Sequence, residues 1–233
     1  MKILPVLFFI AVSLMAHSQQ LSYTDPAQAY LKLMLEKGEN SITRIGAFKV
    51  IGSPYLYGPG RTGRAYTATD SVVNTTLSYN TYTQEIEIAA AGSDTSHTYP
   101  PGAVKSFVIQ GDPALYMPAE LRFIYAAELH STGKQYFQEL YAGVRFSLYK
   151  SYVSELGTPE SSYVQADLRQ FQIGIAYYYS DNSNAGLKKL KTNSRNIIRE
   201  FSKIKDLRGQ IDDTALSASK DTELVRIFTE LNK

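Results

Sequence analysis

The feature that most constrains the fold is an alternation of apolar and polar residues that runs from about residue 42 to residue 180. It is clearest near the end of this range, where one face of an extended strand would carry Phe171, Ile173, Ile175, Tyr177 and Tyr179. A period of two is typical of antiparallel sheets that bury one face and expose the other. We therefore predict a mainly β (α+β) fold, either an antiparallel β-sandwich or a partly closed barrel of about seven to ten strands.

Turn residues divide this region into short strands. The polar segment 131–134 separates two alternating runs, and Ala142-Gly143 predicts a tight hairpin between residues 135–141 and 144–152. Prolines mark further breaks because proline cannot donate to a sheet hydrogen-bond ladder; they stand at positions 54, 59, 100, 101, 113, 118 and 159.

Helical patterns flank the alternating region. Asp25 as the N-cap, Pro26 in the first turn and Gly38 as the stop predict a short N-terminal helix. The polar cluster 181–184 predicts the end of the last strand and a helix cap at Asn184. The apolar residues that then follow helical spacing are Leu187, Leu190, Ile197, Ile198, Phe201 and Ile204, and a final helix is predicted over about 221–232.

The first residues have the pattern of a secretory signal peptide. Lys2 precedes an uncharged run over residues 3–16, and Ala16-His17-Ser18 predicts cleavage after Ser18. This run is shorter than the roughly 20 residues that cross a bilayer, so we expect an exported protein, periplasmic or secreted, without a transmembrane segment after cleavage. The predicted organisation is a signal peptide (1–18), an N-terminal helix and linker (19–40), a β body (41–182) and a helical C-terminal tail packed on the body (183–233).

Composition excludes several classes of protein. The chain has no cysteine, so it has no disulfide, thiol nucleophile, cysteine zinc site or lipid-modified cysteine of a lipoprotein. The 24 basic and 22 acidic residues nearly balance, and this balance gives no overall reason to expect nucleic acid as a partner.

Two motifs resemble ligand sites only in their letters. Residues 58–63 spell a dinucleotide fingerprint, but Pro59 interrupts it and the residues after it are extended rather than helical. Residues 181–184 offer oxygen ligands but lack the spaced acids of a calcium loop. We predict a loop at the first motif, a turn and helix cap at the second, and no cofactor or metal site.

Four titratable side chains are the remaining candidates for catalysis. Glu85 and Glu87 share one face of a predicted strand and alternate with isoleucines, which favours solvated positions over an acid–base pair. His97 and His130 are isolated, and the pattern places each in a solvated loop. No nucleophile motif accompanies them, so we predict no catalytic residue.

The segment 187–208 is strongly basic, with eight basic and two acidic residues. Its cations at the N-terminal end are Lys188, Lys189, Lys191, Arg195 and Arg199. As a basic amphipathic helix, this segment would contact an anionic membrane surface or an acidic partner. It would equally serve as a solvated face that complements the acidic body of the chain, and both interpretations stay open.

Tyrosine is unusually frequent, with 18 tyrosines and no tryptophan. Tyr177, Tyr178 and Tyr179 are consecutive and could bind a ligand or partner, since tyrosine combines apolar area with a polar tip. The alternative is a tyrosine-rich core with hydroxyls at its rim.

Four segments carry a resemblance to a known group: Ser18-Gln19-Gln20, residues 135–150, residues 187–191 and residues 224–232. On these segments the protein resembles the uncharacterised exported β-rich proteins of Bacteroidota that end in a helical tail. The resemblance covers about two thirds of the chain. The resemblance implies export and this topology, and it implies no activity or catalytic residue.

These patterns together favour a non-catalytic binding or structural module of the cell envelope, with a protein or small ligand as its partner. One alternative is an envelope protein that contacts an anionic surface or acidic partner through residues 187–208. The other alternative is a hydrolase with a non-standard site.

Overall fold

The computed structural model describes residues 43–69, 71–90, 92–93, 95–115, 117–159 and 166–233. The predicted signal peptide and the predicted N-terminal helix lie outside the described residues. Export therefore stays a prediction.

Strands occupy most of the described chain, and there are twelve of them in these residues. They are β1 (Thr43–Ile45), β2 (Phe48–Ile51), β3 (Arg61–Thr67), β4 (Ser71–Asn80), β5 (Glu85–Ala90), β6 (Ser96–Tyr99), β7 (Val104–Gln110), β8 (Glu120–Tyr125), β9 (Tyr136–Tyr141), β10 (Phe146–Gly157), β11 (Leu168–Asp181) and β12 (Asn184–Leu190). The mainly β class is confirmed, with more strands than the seven to ten expected.

All twelve strands belong to one sheet. Its order is β1-β2-β11-β10-β9-β8-β7-β3-β4-β5-β6, and β12 pairs with β11 beside this path. The pairs are antiparallel except β2 with β11, which is parallel, so the sheet is mixed. Within the described residues the end strands β1 and β6 do not pair, and the sheet is not closed into a barrel.

The sheet is nevertheless strongly curved. The turn after β4 reaches β10, where the hydroxyls of Thr81 and Ser154 are hydrogen-bonded at 2.6 Å and the Ser154 N–H donates to the Thr81 carbonyl at 3.0 Å. Since four strands separate β10 from β4 in the sheet order, this contact requires the sheet to curl around its inner face.

Aromatic side chains fill the inner face of the curve, and we call this group the aromatic core. Its members include Tyr79, Phe107, Phe123, Tyr136 and Tyr152. Phe107 and Phe123 stack with ring centroids 4.7 Å apart, and Tyr79 meets Phe107 edge-on at 5.3 Å. Such ring pairs contribute about 0.5–1.5 kcal/mol each beyond the burial of their area. The alternation in the sequence thus places apolar residues inward, as predicted.

Three helices follow the sheet in the described chain: α1 (Ser194–Phe201), α2 (Asp213–Ala218) and α3 (Lys220–Leu231). Asn193 caps α1, because its Oδ1 accepts from the Asn196 N–H at 2.9 Å. The helices pack on the inner face of β10–β12 in a second apolar cluster, the helix-facing cluster, which includes Phe146, Leu148, Phe201, Leu224 and Phe228. The predicted final helix is confirmed by α3, and α2 was not predicted.

The predicted helix from Asn184 onward is wrong in its first part. Residues Asn184–Leu190 form β12, which pairs antiparallel with β11, and the helix begins ten residues later at Ser194. The spacing of Leu187 and Leu190 suits a helix, but a strand places them on opposite faces. Leu190 then joins the helix-facing cluster, and Leu187 packs on a small outer cluster across the sheet. Both leucines gain apolar contacts in this way, and tertiary pairing overrides the local pattern.

Candidate functional site

The five basic residues predicted to contact a partner or an anionic surface lie on β12, on α1 and between these two elements, and all five are exposed. We call Lys188, Lys189, Lys191, Arg195 and Arg199 the basic segment. Lys188 stands opposite Tyr179 and Lys189 opposite Tyr178 in the antiparallel register, so the two lysines project from opposite faces of the sheet. The segment is therefore an edge strand followed by a short helix, and the expected single amphipathic helix over 187–208 is wrong.

None of these five cations forms an ion pair with an acidic side chain in the described part of the chain. Two cations further along behave differently, since Lys205 pairs with Glu230 and Arg208 pairs with Asp206, each at 3.3 Å. Lys188 lies 5.9 Å from the centroid of the Tyr179 ring, and Arg199 donates to the Asn196 Oδ1 at 2.7 Å. Direct pairing with the acidic side chains that the structure describes therefore does not account for this positive surface.

Protection of a sheet edge could explain part of the basic segment. β12 pairs only with β11 among the described strands, so its outer edge has no strand partner there. Lysines on such edges discourage pairing with another chain. This explanation covers Lys188 and Lys189, but it does not cover Arg195 and Arg199, which are one turn apart on the exposed side of α1.

All three candidate tyrosines contact other side chains of the protein, two of them on the helices and one on the sheet. The Tyr177 hydroxyl donates to the Asp221 Oδ1 at 2.6 Å, and the Tyr179 hydroxyl donates to Glu200. Burial, and then the hydrogen bond to Glu200, raise the pKa of Tyr179. Tyr178 points to the other face, where its ring meets Phe137 edge-on at 5.1 Å. Tyr177 and Tyr179 therefore anchor the helices to the sheet.

The sequence interpretation missed a buried charged group beside Tyr177. Lys150 lies in the middle of β10 and is completely buried, and its Nζ is 2.6 Å from the Asp221 Oδ2 in the first turn of α3. Its ammonium group lies 5.2 Å from the Tyr152 ring centroid and 5.6 Å from that of Tyr177. Lys150 shares a face with Leu148 and Tyr152, so it separates the helix-facing cluster from the aromatic core. The sequence signal that could have revealed it is a lysine at a position of the alternating strand where an apolar, inward-facing residue is expected.

Hydroxyl groups inside the aromatic core are satisfied by other protein groups. The Tyr152 hydroxyl donates to the Gln138 Oε1 at 2.7 Å, and the Tyr79 hydroxyl donates to the Gln84 Oε1 at 2.5 Å. The Tyr136 hydroxyl donates to a backbone carbonyl at 2.8 Å, and burial raises its pKa to about 12. A tyrosine-rich core is therefore present, as in the alternative to a ligand site, but these three hydroxyls are buried inside it and do not lie at its rim.

The four catalytic candidates do not converge. Glu85 and Glu87 lie on the face of β5 opposite the buried Ile86 and Ile88, and the Tyr55 hydroxyl donates to Glu87. Burial, and then the Glu87 carboxylate, raise the pKa of Tyr55 to about 12.

The two histidines lie elsewhere. His97 is exposed on β6 and pairs with Ile88, so it belongs to the opposite face from Glu87, and its expected loop position is wrong. His130 is exposed in a left-handed conformation after the 3-10 helix Ala126–Leu129, far along the chain from β5.

The two motifs whose sequences resemble ligand-binding motifs lie at connections between strands. Residues 58–60 form a loop and 61–63 begin β3, with no helix after them, as predicted. At the second motif the Asp181 carboxylate accepts from the Ser183 hydroxyl at 2.6 Å, which is a turn as predicted, while the expected helix cap at Asn184 is the start of β12. Among the described residues, no three His, Asp or Glu side chains are grouped to hold a metal ion.

No helix in the described residues has the length and apolar character that crossing a bilayer demands. Comparisons of the chain with protein-family models, with curated proteins and with solved structures gave no match.

Proposed function

We propose that this protein is a non-catalytic interaction module of the cell envelope that contacts a negatively charged partner through the basic segment. The observation that carries the proposal is the set of five exposed cations within twelve residues, none in an ion pair with a described acidic side chain. The sequence left two interpretations of these charges open. The absence of direct pairing within the described chain favours an external partner over internal charge balance.

The arrangement of the other polar groups supports a role without catalysis. The Glu87 carboxylate accepts a hydrogen bond from the Tyr55 hydroxyl, while His97 and His130 lie on separate elements. These candidates therefore do not form a nucleophile, base and orienting group within hydrogen-bond reach of one another. The rigid sheet and its packed helices would instead hold the cations at fixed positions. Exposed cations near an anionic surface contribute on the order of 1 kcal/mol each, and salt weakens this attraction.

Cation-exchange chromatography of the exported protein tests the segment with a matched control. The variant Lys189→Glu/Lys191→Glu and the control Arg44→Glu/Lys134→Glu change the net charge equally, and all four residues are exposed. We expect the first variant to elute at clearly lower salt than the control, because clustered charges bind an anionic matrix together. Equal elution of both variants would contradict the proposal.

A hydrolase panel tests the non-catalytic part. We expect no esterase, glycosidase or peptidase turnover that depends on Glu87 or His130. Turnover that disappears in Glu87→Gln or His130→Ala would replace this proposal with the alternative of a hydrolase with a non-standard site.

A further inference from the structure

The turn between β9 and β10 presents an apolar side chain to solvent. Val144 is 93% exposed, and Arg145 beside it is also exposed. Among the described residues the other large exposed apolar side chains, Phe48 and Tyr82, are only 37% and 41% exposed. Val144 is therefore the most exposed large apolar side chain among the described residues.

Hydrogen bonds from two neighbouring elements fix this turn. The Asn182 side-chain amide donates to the carbonyls of Gly143 and Val144 at 2.9 and 3.0 Å, and the Asn182 N–H donates to the Arg145 carbonyl at 2.7 Å. From the end of α3, the Asn232 Oδ1 accepts from the Arg145 N–H at 2.8 Å. These hydrogen bonds fix the backbone of residues 143–145 in a conformation that leaves the Val144 side chain exposed.

The turn and the basic segment share one region of the surface. Asp181 pairs with Phe146 in the register of β10 and β11, next to the turn. A hydrogen bond from Ser183 is the main cause of the lowered pKa of Asp181, and the positive charges of Arg145 and Lys188 act in the same direction. Asn182 lies in the turn that joins β11 to β12, and the Phe146 ring beside Arg145 meets the Phe201 ring at the end of α1 with centroids 5.6 Å apart. The turn that carries Val144 therefore adjoins β12 and α1, the two elements of the basic segment.

We infer that the anionic partner is the surface of a phospholipid bilayer, with the basic segment and Arg145 at the headgroups and Val144 inserted among them. This inference rests on the proposed function and names its partner. A soluble polyanion offers charge alone. A bilayer interface offers a continuous apolar layer directly beneath its anionic headgroups, so an exposed apolar tip beside cations gains additional free energy there.

A site-specific fluorescent label tests insertion directly, since the chain has no cysteine. Val144→Cys, labelled with a polarity-sensitive thiol-reactive dye, is mixed with phosphatidylglycerol/phosphatidylcholine vesicles and with phosphatidylcholine vesicles. Ser96→Cys on β6, which is exposed on a distant strand of the sheet, is the control. We expect a blue shift only for the label at position 144 and only with anionic vesicles.

Flotation with the same vesicles measures the apolar contribution. Val144→Ser should bind about fivefold more weakly, a factor equivalent to roughly 1 kcal/mol. Ala142→Ser, an exposed change in the same turn, should leave binding unchanged.

The outcomes separate this inference from the proposed function. Vesicle binding that needs Lys189 and Lys191 but shows no dye shift and no effect of Val144→Ser would overturn insertion and leave the interaction module intact. Absent vesicle binding combined with segment-dependent binding to poly-glutamate would overturn the bilayer as partner and favour an acidic macromolecule. Failure to bind either probe would overturn both proposals.

Discussion

Replacing Asp221 with asparagine removes the charge that faces the buried Lys150 while it keeps the size of the side chain. The Lys150 Nζ lies 2.6 Å from the Asp221 Oδ2, and the Tyr177 hydroxyl lies 2.6 Å from its Oδ1. In Asp221→Asn the ammonium group stays inside the protein without this compensating charge. We expect a large loss of stability, because a buried charge without its counter-charge carries a desolvation penalty.

The size of the effect follows from the burial of the two partners. Removal of one member of a buried ion pair costs about 3–5 kcal/mol. Asp221 keeps 30% of its side chain exposed whereas Lys150 is fully buried. Water that enters at the exposed side of position 221 offsets part of the penalty, so we expect Asp221→Asn to lower the free energy of unfolding by about 3 kcal/mol. A domain of ordinary stability has about 5–15 kcal/mol in total. Lys150→Met should cost less than Asp221→Asn, since Asp221 can hydrate when its partner is lost.

Denaturant unfolding at neutral pH measures these differences. Far-ultraviolet circular dichroism and tyrosine fluorescence serve as two probes, because the chain has no tryptophan. The control is Asp213→Asn, an exposed first-turn residue of α2, which should change the free energy of unfolding by less than about 0.5 kcal/mol. Lys150→Met/Asp221→Asn should be more stable than Asp221→Asn alone.

Two results would refute this reasoning. If Asp221→Asn were as stable as Asp213→Asn, the ion pair would contribute nothing to holding α3 on the sheet. If Lys150→Met were the more damaging change, burial would not be the quantity that ranks the two partners.

Three further predictions concern single side chains. Asn232→Ala should lower the free energy of unfolding by about 1–3 kcal/mol in the same unfolding assay, because it removes hydrogen bonds that join the end of α3 to the start of β10. Hydrogen bonds from Arg226 lower the pKa of Glu223 in the folded protein. The Glu223 carboxylate therefore stabilises the fold above its unfolded pKa of about 4.3, and this contribution is lost as the pH falls through the folded pKa. Unfolding measured between neutral and acidic pH should show a weaker pH dependence for Glu223→Gln. Glu87→Gln should lower the pKa of Tyr55 from about 12, measured by the ultraviolet absorbance of tyrosinate, because it removes a charge that opposes ionisation.

Each of these predictions has an opposing result. An Asn232→Ala variant with unchanged stability would mean that the contacts at the end of α3 are replaced by water at no cost. Parallel pH profiles for Glu223→Gln and the unmodified protein would contradict the lowered pKa of that carboxylate. A tyrosinate titration unaffected by Glu87→Gln would leave burial as the sole cause at Tyr55.

The local patterns of the sequence determined the mainly β fold and the last helix. The alternation around Phe171 and Tyr177 requires an extended chain with one buried face, because a period of two places every second side chain on one side of a strand. The apolar stripe of Leu224, Ile227, Phe228 and Leu231 likewise required a helix packed on one side, as α3 is. Composition also identified the five cations of the basic segment as an unusual local charge.

Only the tertiary structure decided how these elements meet. The residues from Asn184 to Leu190 satisfy a helical spacing as well as a strand, and pairing with β11 selects the strand because Leu187 and Leu190 then contact apolar clusters on both faces of the sheet. Lys150 occupies a position where the alternation predicts an apolar residue. Its burial is explained only by the contact with Asp221, which lies 71 positions later in the chain. The exposure of Val144 likewise depends on two distant asparagines. Short-range periodicity fixes which side chains share a face, whereas the partner that a face meets depends on contacts between residues far apart in sequence.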